Sequence, residues 1–245
     1  MLINKMLKIL FSFCLLTFFH CSAESQETFN PSIDLGFNSR LVFEDNKLLL
    51  NHKNLIEAKA REAVGLVNAK MLTENITIRI RVSSTNVIPE IGIGGYNPNP
   101  NEIILSIDPN FSDIEQSLRN ELGPTIAHEM HHAKRRRTVG YGSSLLQAMI
   151  TEGMADSFSM EVYKINPPIW STVLTASELE NWIQTARVNW NETPYNHNEW
   201  FFGISEIPRW TGYAIGFKLV QDYLIRNPSI EPSDIVNEPA SSLVE

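Results

Sequence analysis

The chain is nearly without cysteine: Cys14 and Cys21 are the only two in 245 residues, and both stand near its amino-terminal end. From Ser22 onward there is no thiol. A disulfide framework, a Cys/His nucleophilic pair and a cysteine-ligated metal cluster are therefore excluded there. An excess of positive charge is lacking too. Against 20 Lys and Arg stand 28 Asp and Glu, giving a net charge of −8 and a pI of about 5.3. Phosphate backbones require clustered cations, so nucleic acid is excluded as a partner. No internal repeat or low-complexity tract occurs, and 12 Gly with 13 Pro are too few for a fibrous chain. A hydrophobic share of 43% excludes disorder. What remains is a globular protein of one large domain or two small ones, long enough to bury a core.

One long apolar run is present, Ile9 to Phe19, too short to span a bilayer as a permanent helix. Lys5 and Lys8 precede it, and Cys21-Ser22-Ala23 follows with small residues at the positions a signal peptidase reads. Residues 1–23 therefore read as a secretory signal, cut before Glu24, and the body is expected to be exported to a periplasm or secreted. The alternative is a bacterial lipoprotein carrying lipid on Cys21, which is the one way a membrane becomes a partner. Phe18-Phe19-His20 is a poor lead-in for that cleavage.

The expected domain covers 24–228, with its sheet part at about 48–110, its helical part at about 112–228, and a loose tail at 229–245. Glu24 to Phe43 reads as an extended lead-in, and Leu48 to Leu72 as a helix. Ile76, Ile78, Ile80 and Val82 alternate with polar residues and predict a half-buried strand. Ile91 to Gly95 is a short strand or loop, Tyr96 to Asn101 a turn, and Glu102 to Ile107 a strand stopped by Asp108-Pro109. Pro124 sits where a helix opens, and Gly140 follows its end. Ser143 can cap a helix reaching Lys164. Thr175 to Trp190 is a helix with a Ser177/Glu180 capping box. Asn191 to Trp210 reads as an aromatic-rich loop, and Gly212 to Arg226 as a last helix. Strands early and helices late give an α+β class.

His128-Glu129-Met130-His131-His132 is an H-E-x-x-H motif inside the helix that contains Pro124. His128 and His132 are four apart, so both imidazoles leave one helical face and can grip a single Zn²⁺. Glu129 is rotated by about 100° from His128. It lies beside a metal without ligating it, where a carboxylate can take a proton from water. The next helix carries Glu152-Gly-Met-Ala-Asp156 among Leu145, Leu146, Met149, Ile150 and Phe158. A carboxylate in such surroundings is costly unless it is paired or bound to metal. Two His and one Glu form an open, catalytic zinc set, which makes Glu152 the third ligand. Asp156, one turn along the same face, is placed to accept the other N–H of a ligand imidazole, His128 first.

These residues resemble the gluzincin metallopeptidases, zincin-fold enzymes with a Glu third ligand. More narrowly, Gly94-Gly95-Tyr96, Ile103 to Pro109, Thr125 to Arg135, Ile150 to Asp156 and Gly212 to Tyr223 resemble a family of zinc-dependent proteases defined largely by this motif. The resemblance covers roughly Gly92 to Asn227. It implies a zincin-like fold, a small sheet whose edge strand packs on the active-site helix, with His128, His132 and Glu152 as ligands and Glu129 as catalytic base. It also implies an edge strand before that helix that pairs with extended substrate, which falls on Ile103, Ile104, Leu105 and Ser106; a plain core strand is the other reading.

A transition-state donor is also needed beside the metal. Tyr213 is the first candidate, then His197, then Tyr141; a Tyr opening an amphipathic helix can equally be core. His131 reads as a packing or hydrogen-bonding residue. Lys134-Arg135-Arg136-Arg137 reads as a solvated helix end facing the negative dipole terminus, with an anchor for a substrate carboxylate as the lesser alternative. The expected function is hydrolysis of a peptide or protein substrate. A zinc hydrolase of non-peptide amides or esters, and a non-enzymatic exported protein with a closed structural zinc site, are the alternatives.

Overall fold

The computed structural model describes residues 32–204 and 206–244. The expected signal 1–23, with Cys14 and Cys21, lies outside them. The chain from Ile33 opens with a hairpin of β1 (Ile33–Gly36) and β2 (Ser39–Phe43). Its turn residues Phe37 and Asn38 both have positive φ, 53° and 54°, the twist that matches a two-residue hairpin loop. Leu35, Leu41 and Phe43 are buried, so this stretch is sheet, where a lead-in was expected. Phe-Asn lacks the Asn-Gly signature, which is why the hairpin left no mark on the sequence pattern.

A short helix α1 (Lys47–Asn51) leads into α2 (Lys53–Lys70), which buries Ile56, Ala60, Ala63, Val64 and Val67 along one stripe. Then come β3 (Thr77–Val82), β4 (Ile93–Asn99) and β5 (Glu102–Ile107). The strand order is β1-β2-β3-β5-β4. Pairs β2/β3 and β3/β5 are parallel, while β1/β2 and β4/β5 are antiparallel. The strand carrying Ile103, Ile104, Leu105 and Ser106 is thus hydrogen-bonded on both sides, and the edge-strand expectation is corrected. The edge is β4, read from sequence as part loop and part turn because its Gly94-Gly95 and Pro98 carry little strand signal. Ile88 bridges to Ile93 at one end of it, leaving the Gly95–Asn97 stretch with no strand beyond among the described residues.

Helix α3 (Ile114–Asn120), absent from the sequence reading, is followed directly by α4 (Leu122–Arg136), which carries the motif; Pro124 lies inside its first turn. Helix α5 (Leu145–Tyr163) starts at a Ser144/Gln147 capping box and ends on Lys164 in the left-handed region. Helix α6 (Ala176–Arg187) is capped by Thr175 with Glu178, two residues before the expected box. The aromatic loop contains α7 (His197–Phe202), and α8 (Thr211–Arg226) closes the helical part.

Two hydrophobic clusters result. One joins the sheet to α2, α3 and α4, with Phe158 reaching in from α5; the other joins α5, α6, α7 and α8. The expected loose tail belongs mostly to the second. Two 3₁₀ turns, Pro232–Ile235 and Ala240–Leu243, bury Ile235, Ala240 and Leu243 there, and Val236 joins the first cluster. The architecture is α+β: a five-stranded mixed sheet carries α2 and α4, α1 touches β3, α3 packs beside α2 and α4, and α5 to α8 form the second layer beyond α4.

Candidate metal centre

Helices α4 and α5 pack side by side, one from each cluster, and the centre forms where they face. His128 Nε2 and His132 Nε2 stand 2.9 Å apart, and Glu152 Oε2 lies 3.2 Å from the first and 3.4 Å from the second. Two ligands bonded at about 2.0–2.1 Å to a tetrahedral zinc are about 3.4 Å apart, so this triangle has the size of one face of such a site. The Nδ1–H of His128 donates to Asp156 Oδ1 at 2.8 Å, leaving its Nε2 lone pair aimed at the triangle. The donor set, two imidazoles and a carboxylate, suits zinc, and the residues fit the ion. No fourth His, Cys, Asp or Glu joins the cluster among the described residues.

Asp156 is fully buried and collects three donors: His128, Trp170 Nε1 at 3.1 Å, and Ser171 Oγ at 2.5 Å. Trp170 and Ser171 come from a 3₁₀ turn, Ile169–Ser171, behind Pro167-Pro168. Nothing in the sequence marks them, because their position depends on where the chain returns after α5. Tyr141 was the third choice for a donor, yet it stands nearest the ligands: its hydroxyl donates to Glu152 Oε1 at 2.6 Å. The Thr151 hydroxyl in turn donates to the Tyr141 carbonyl, fixing the loop that carries the ring.

Electrostatics follow from burial and these partners. Burial alone would lower the His128 pKa, but the carboxylates of Asp156 and Glu152 outweigh it and hold the ring well above its usual value. Burial pushes Glu152 upward, and the adjacent His132 and His128 overcome this and hold it well below the usual carboxylate range. Glu129 differs. It makes no hydrogen bond with the ligands, and burial raises its pKa against the opposing pull of His132 and His128. A carboxylate with raised proton affinity suits a group that must accept a proton and release it again.

A cavity of about 270 Å³ opens onto this centre, lined by Gly95, Tyr96 and Asn97 of β4, by Glu129 and the ligands, and by Arg136, Tyr141, His197, Phe202 and Tyr213. Gly95 faces α4 across the sheet, and a Cβ there would collide with the Glu129 carboxylate. Only glycine lets the Glu129 side chain lie against β4. Both remaining donor candidates line the cavity without touching a ligand. Tyr213 packs edge-on to Phe201, and burial, then Glu152, hold its hydroxyl well above the usual pKa and so protonated. His197 stacks on Phe201 at 4.3 Å, shares a 2.9 Å hydrogen bond with Tyr195, and has its pKa lowered by burial.

His131 points away from the triangle, packs against Phe158, and has no hydrogen-bond partner at either ring nitrogen. The basic run is not simply a solvated terminus. Arg135 is 1% exposed and donates to Thr151 Oγ1, Val236 O and Glu238 O, joining both helices to the tail. Burial pulls its pKa down to about 10. The pattern concealed this, since an arginine at a helix end is usually solvated.

No curated protein and no solved structure matches the chain. Residues 54–245 match the model of a family described as predicted Zn-dependent protease (DUF2268). The match begins in α2 and takes in the tail, so it is wider than the Gly92–Asn227 stretch that carried the resemblance. The centre just described lies wholly inside it, and the chain belongs to the predicted Zn-dependent protease family.

Proposed function

We propose that the chain is an exported zinc metallopeptidase of gluzincin type, in which His128, His132 and Glu152 hold the ion and Glu129 is the general base. The observation that carries the reading is a three-donor triangle with a buried, unpaired carboxylate beside it, both opening onto a cavity walled by an unpaired strand edge. When bound, zinc supplies a Lewis acid for the scissile carbonyl and lowers the pKa of the attacking water. Glu129 takes that water's proton and later returns it to the leaving amine. Tyr213 and Tyr141, both held protonated, are the hydroxyls available to the developing oxyanion, with Tyr141 already committed to Glu152.

The substrate lies along β4. An extended peptide can add to an open edge through backbone hydrogen bonds, which bind with little regard to side chains. Gly95 on that strand is the residue against which the Glu129 side chain lies. This assigns to β4 the part expected of Ile103 to Ser106. Export rests on the sequence pattern of residues 1–23.

Glu129→Gln should retain the metal and lose hydrolysis of a peptide library by about 10²–10⁴-fold. Metal content by mass spectrometry and product formation read the two effects separately. Unaltered cleavage in that variant sinks the mechanism, and full zinc retention in Glu152→Ala refutes the third ligand.

A further inference from the structure

The four cations that end α4 have different fates. Lys134 donates to Leu72 O, Arg135 is consumed by Thr151 and the tail, and Arg137 binds the carbonyls of Glu74 and Pro100. Arg136 makes no hydrogen bond and no ion pair among the described residues, and its Nε is buried without a partner. It follows His132 by one helical turn, on the face that carries the ligands. Among the described residues it is the one Lys or Arg lining the cavity, whose acidic groups are the carboxylates of Glu129 and Glu152. Its guanidinium carbon rests over the Tyr141 ring, 5.3 Å from the centroid, a cation–π contact that holds the group while leaving its N–H donors unused.

A planar fork held in a sheltered wall, with its donors unanswered, is matched to a carboxylate, which accepts two parallel hydrogen bonds. We propose that Arg136 recognises a carboxylate of the substrate close to the scissile bond, making the cleft selective for acidic peptides. The proposal rests on the peptidase reading above. One helical turn is about 5.4 Å and a strand advances about 3.3 Å per residue, so the recognised group sits about two residues from the cut. That carboxylate has two sources, an acidic side chain or the carboxyl terminus of a short peptide. A purely structural Arg136, offsetting the charge of Glu129, would act on acidic and neutral substrates alike.

The test uses the full chain carrying Glu129→Gln, zinc-loaded, with fluorescence anisotropy as the readout. The probes are dye-labelled octapeptides identical except for one Glu or Gln moved along the sequence, each made with a free and with an amidated carboxyl terminus. A charge-assisted bidentate contact should make one acidic probe bind about ten- to a hundredfold tighter than its neutral counterpart. A preference that follows the Glu position identifies a side-chain carboxylate, and one that follows the free terminus identifies the other source. Adding Arg136→Gln should bring the ratio close to one, and Arg136→Lys, which keeps charge without the fork, should restore part of it. A ratio near one before Arg136 is changed, or a ratio that survives Arg136→Gln or Arg136→Lys intact, overturns the proposal. Hydrolysis of the same probes by the chain with Glu129 intact separates the two claims. Cleavage without acidic preference discards Arg136 and spares the peptidase, whereas an Arg136-dependent preference without cleavage does the reverse.

Discussion

At the residue scale, the centre depends on which groups orient the ligands. Asp156 fixes the tautomer of His128, and Tyr141 holds the Glu152 oxygen remote from the triangle. Partners of this kind typically alter metal affinity by about 10–100-fold. Tyr141→Phe is therefore expected to weaken zinc binding within that range, measured by competition with a chelating dye. Tyr213→Phe should keep affinity and lower kcat instead, since its hydroxyl touches no ligand; an equal loss of affinity in both variants would contradict this division. What the sequence made legible here was set by helical period: His128, Glu129, His132, Glu152 and Asp156 follow from spacing on two helices. Trp170, Ser171, the bond of the Tyr141 hydroxyl to Glu152 and the unanswered guanidinium of Arg136 did not, because tertiary placement rather than spacing brings each to the site.

At the scale of elements, α5 and α8 approach so closely that two glycines are required at the contact. A Cβ on Gly153 would strike the Gly216 carbonyl, and one on Gly216 would strike that of Met149. Gly153 adjoins Glu152, so this contact also sets the height of the third ligand. Gly216→Ala should cost about 1–3 kcal/mol by forcing the helices apart. Thermal melting reads the loss, and a companion zinc titration should show weaker binding; an unchanged melting temperature would mean that the helices part without cost. The long periodic helices were readable from sequence within a few residues. The strands were less so. Alternation found β3 and a run stopped by Asp108-Pro109 found β5, but neither signal carries information on neighbours, and the order β3-β5-β4 moved the edge to a glycine-rich strand that pattern alone did not reveal.

At the scale of the whole molecule, the tail closes the structure. Val236 O and Glu238 O take the Arg135 guanidinium, while Ile235, Ala240 and Leu243 cover α5 and α8. Ending the chain after Glu231 removes two hydrogen bonds to a charged group, each worth about 1.5–3 kcal/mol. It should lower the melting temperature by roughly 6 °C or more; a truncated chain as stable as the whole would show the clasp to be idle. Zinc held at the centre would act in the opposite direction. At one hundred times its dissociation constant, a ligand that binds only the folded state contributes about 2.7 kcal/mol. For a chain of this size, chelation should then lower the melting temperature by roughly 5–11 °C.

The two hydrophobic clusters bear on how the protein comes apart. His128 and His132 are rooted on the helix that the sheet holds, and Glu152 on the helix that the second cluster holds. An ion shared between them makes the loosening of either half cost a bond in the other, which is thermodynamic cooperativity between subdomains. The loaded chain should therefore melt as one unit, with calorimetric and van't Hoff enthalpies equal. Stripped of metal, the halves regain some independence, and the calorimetric enthalpy should exceed the van't Hoff value. The same ion that arms the cleft would then also decide whether the molecule unfolds as one body or as two.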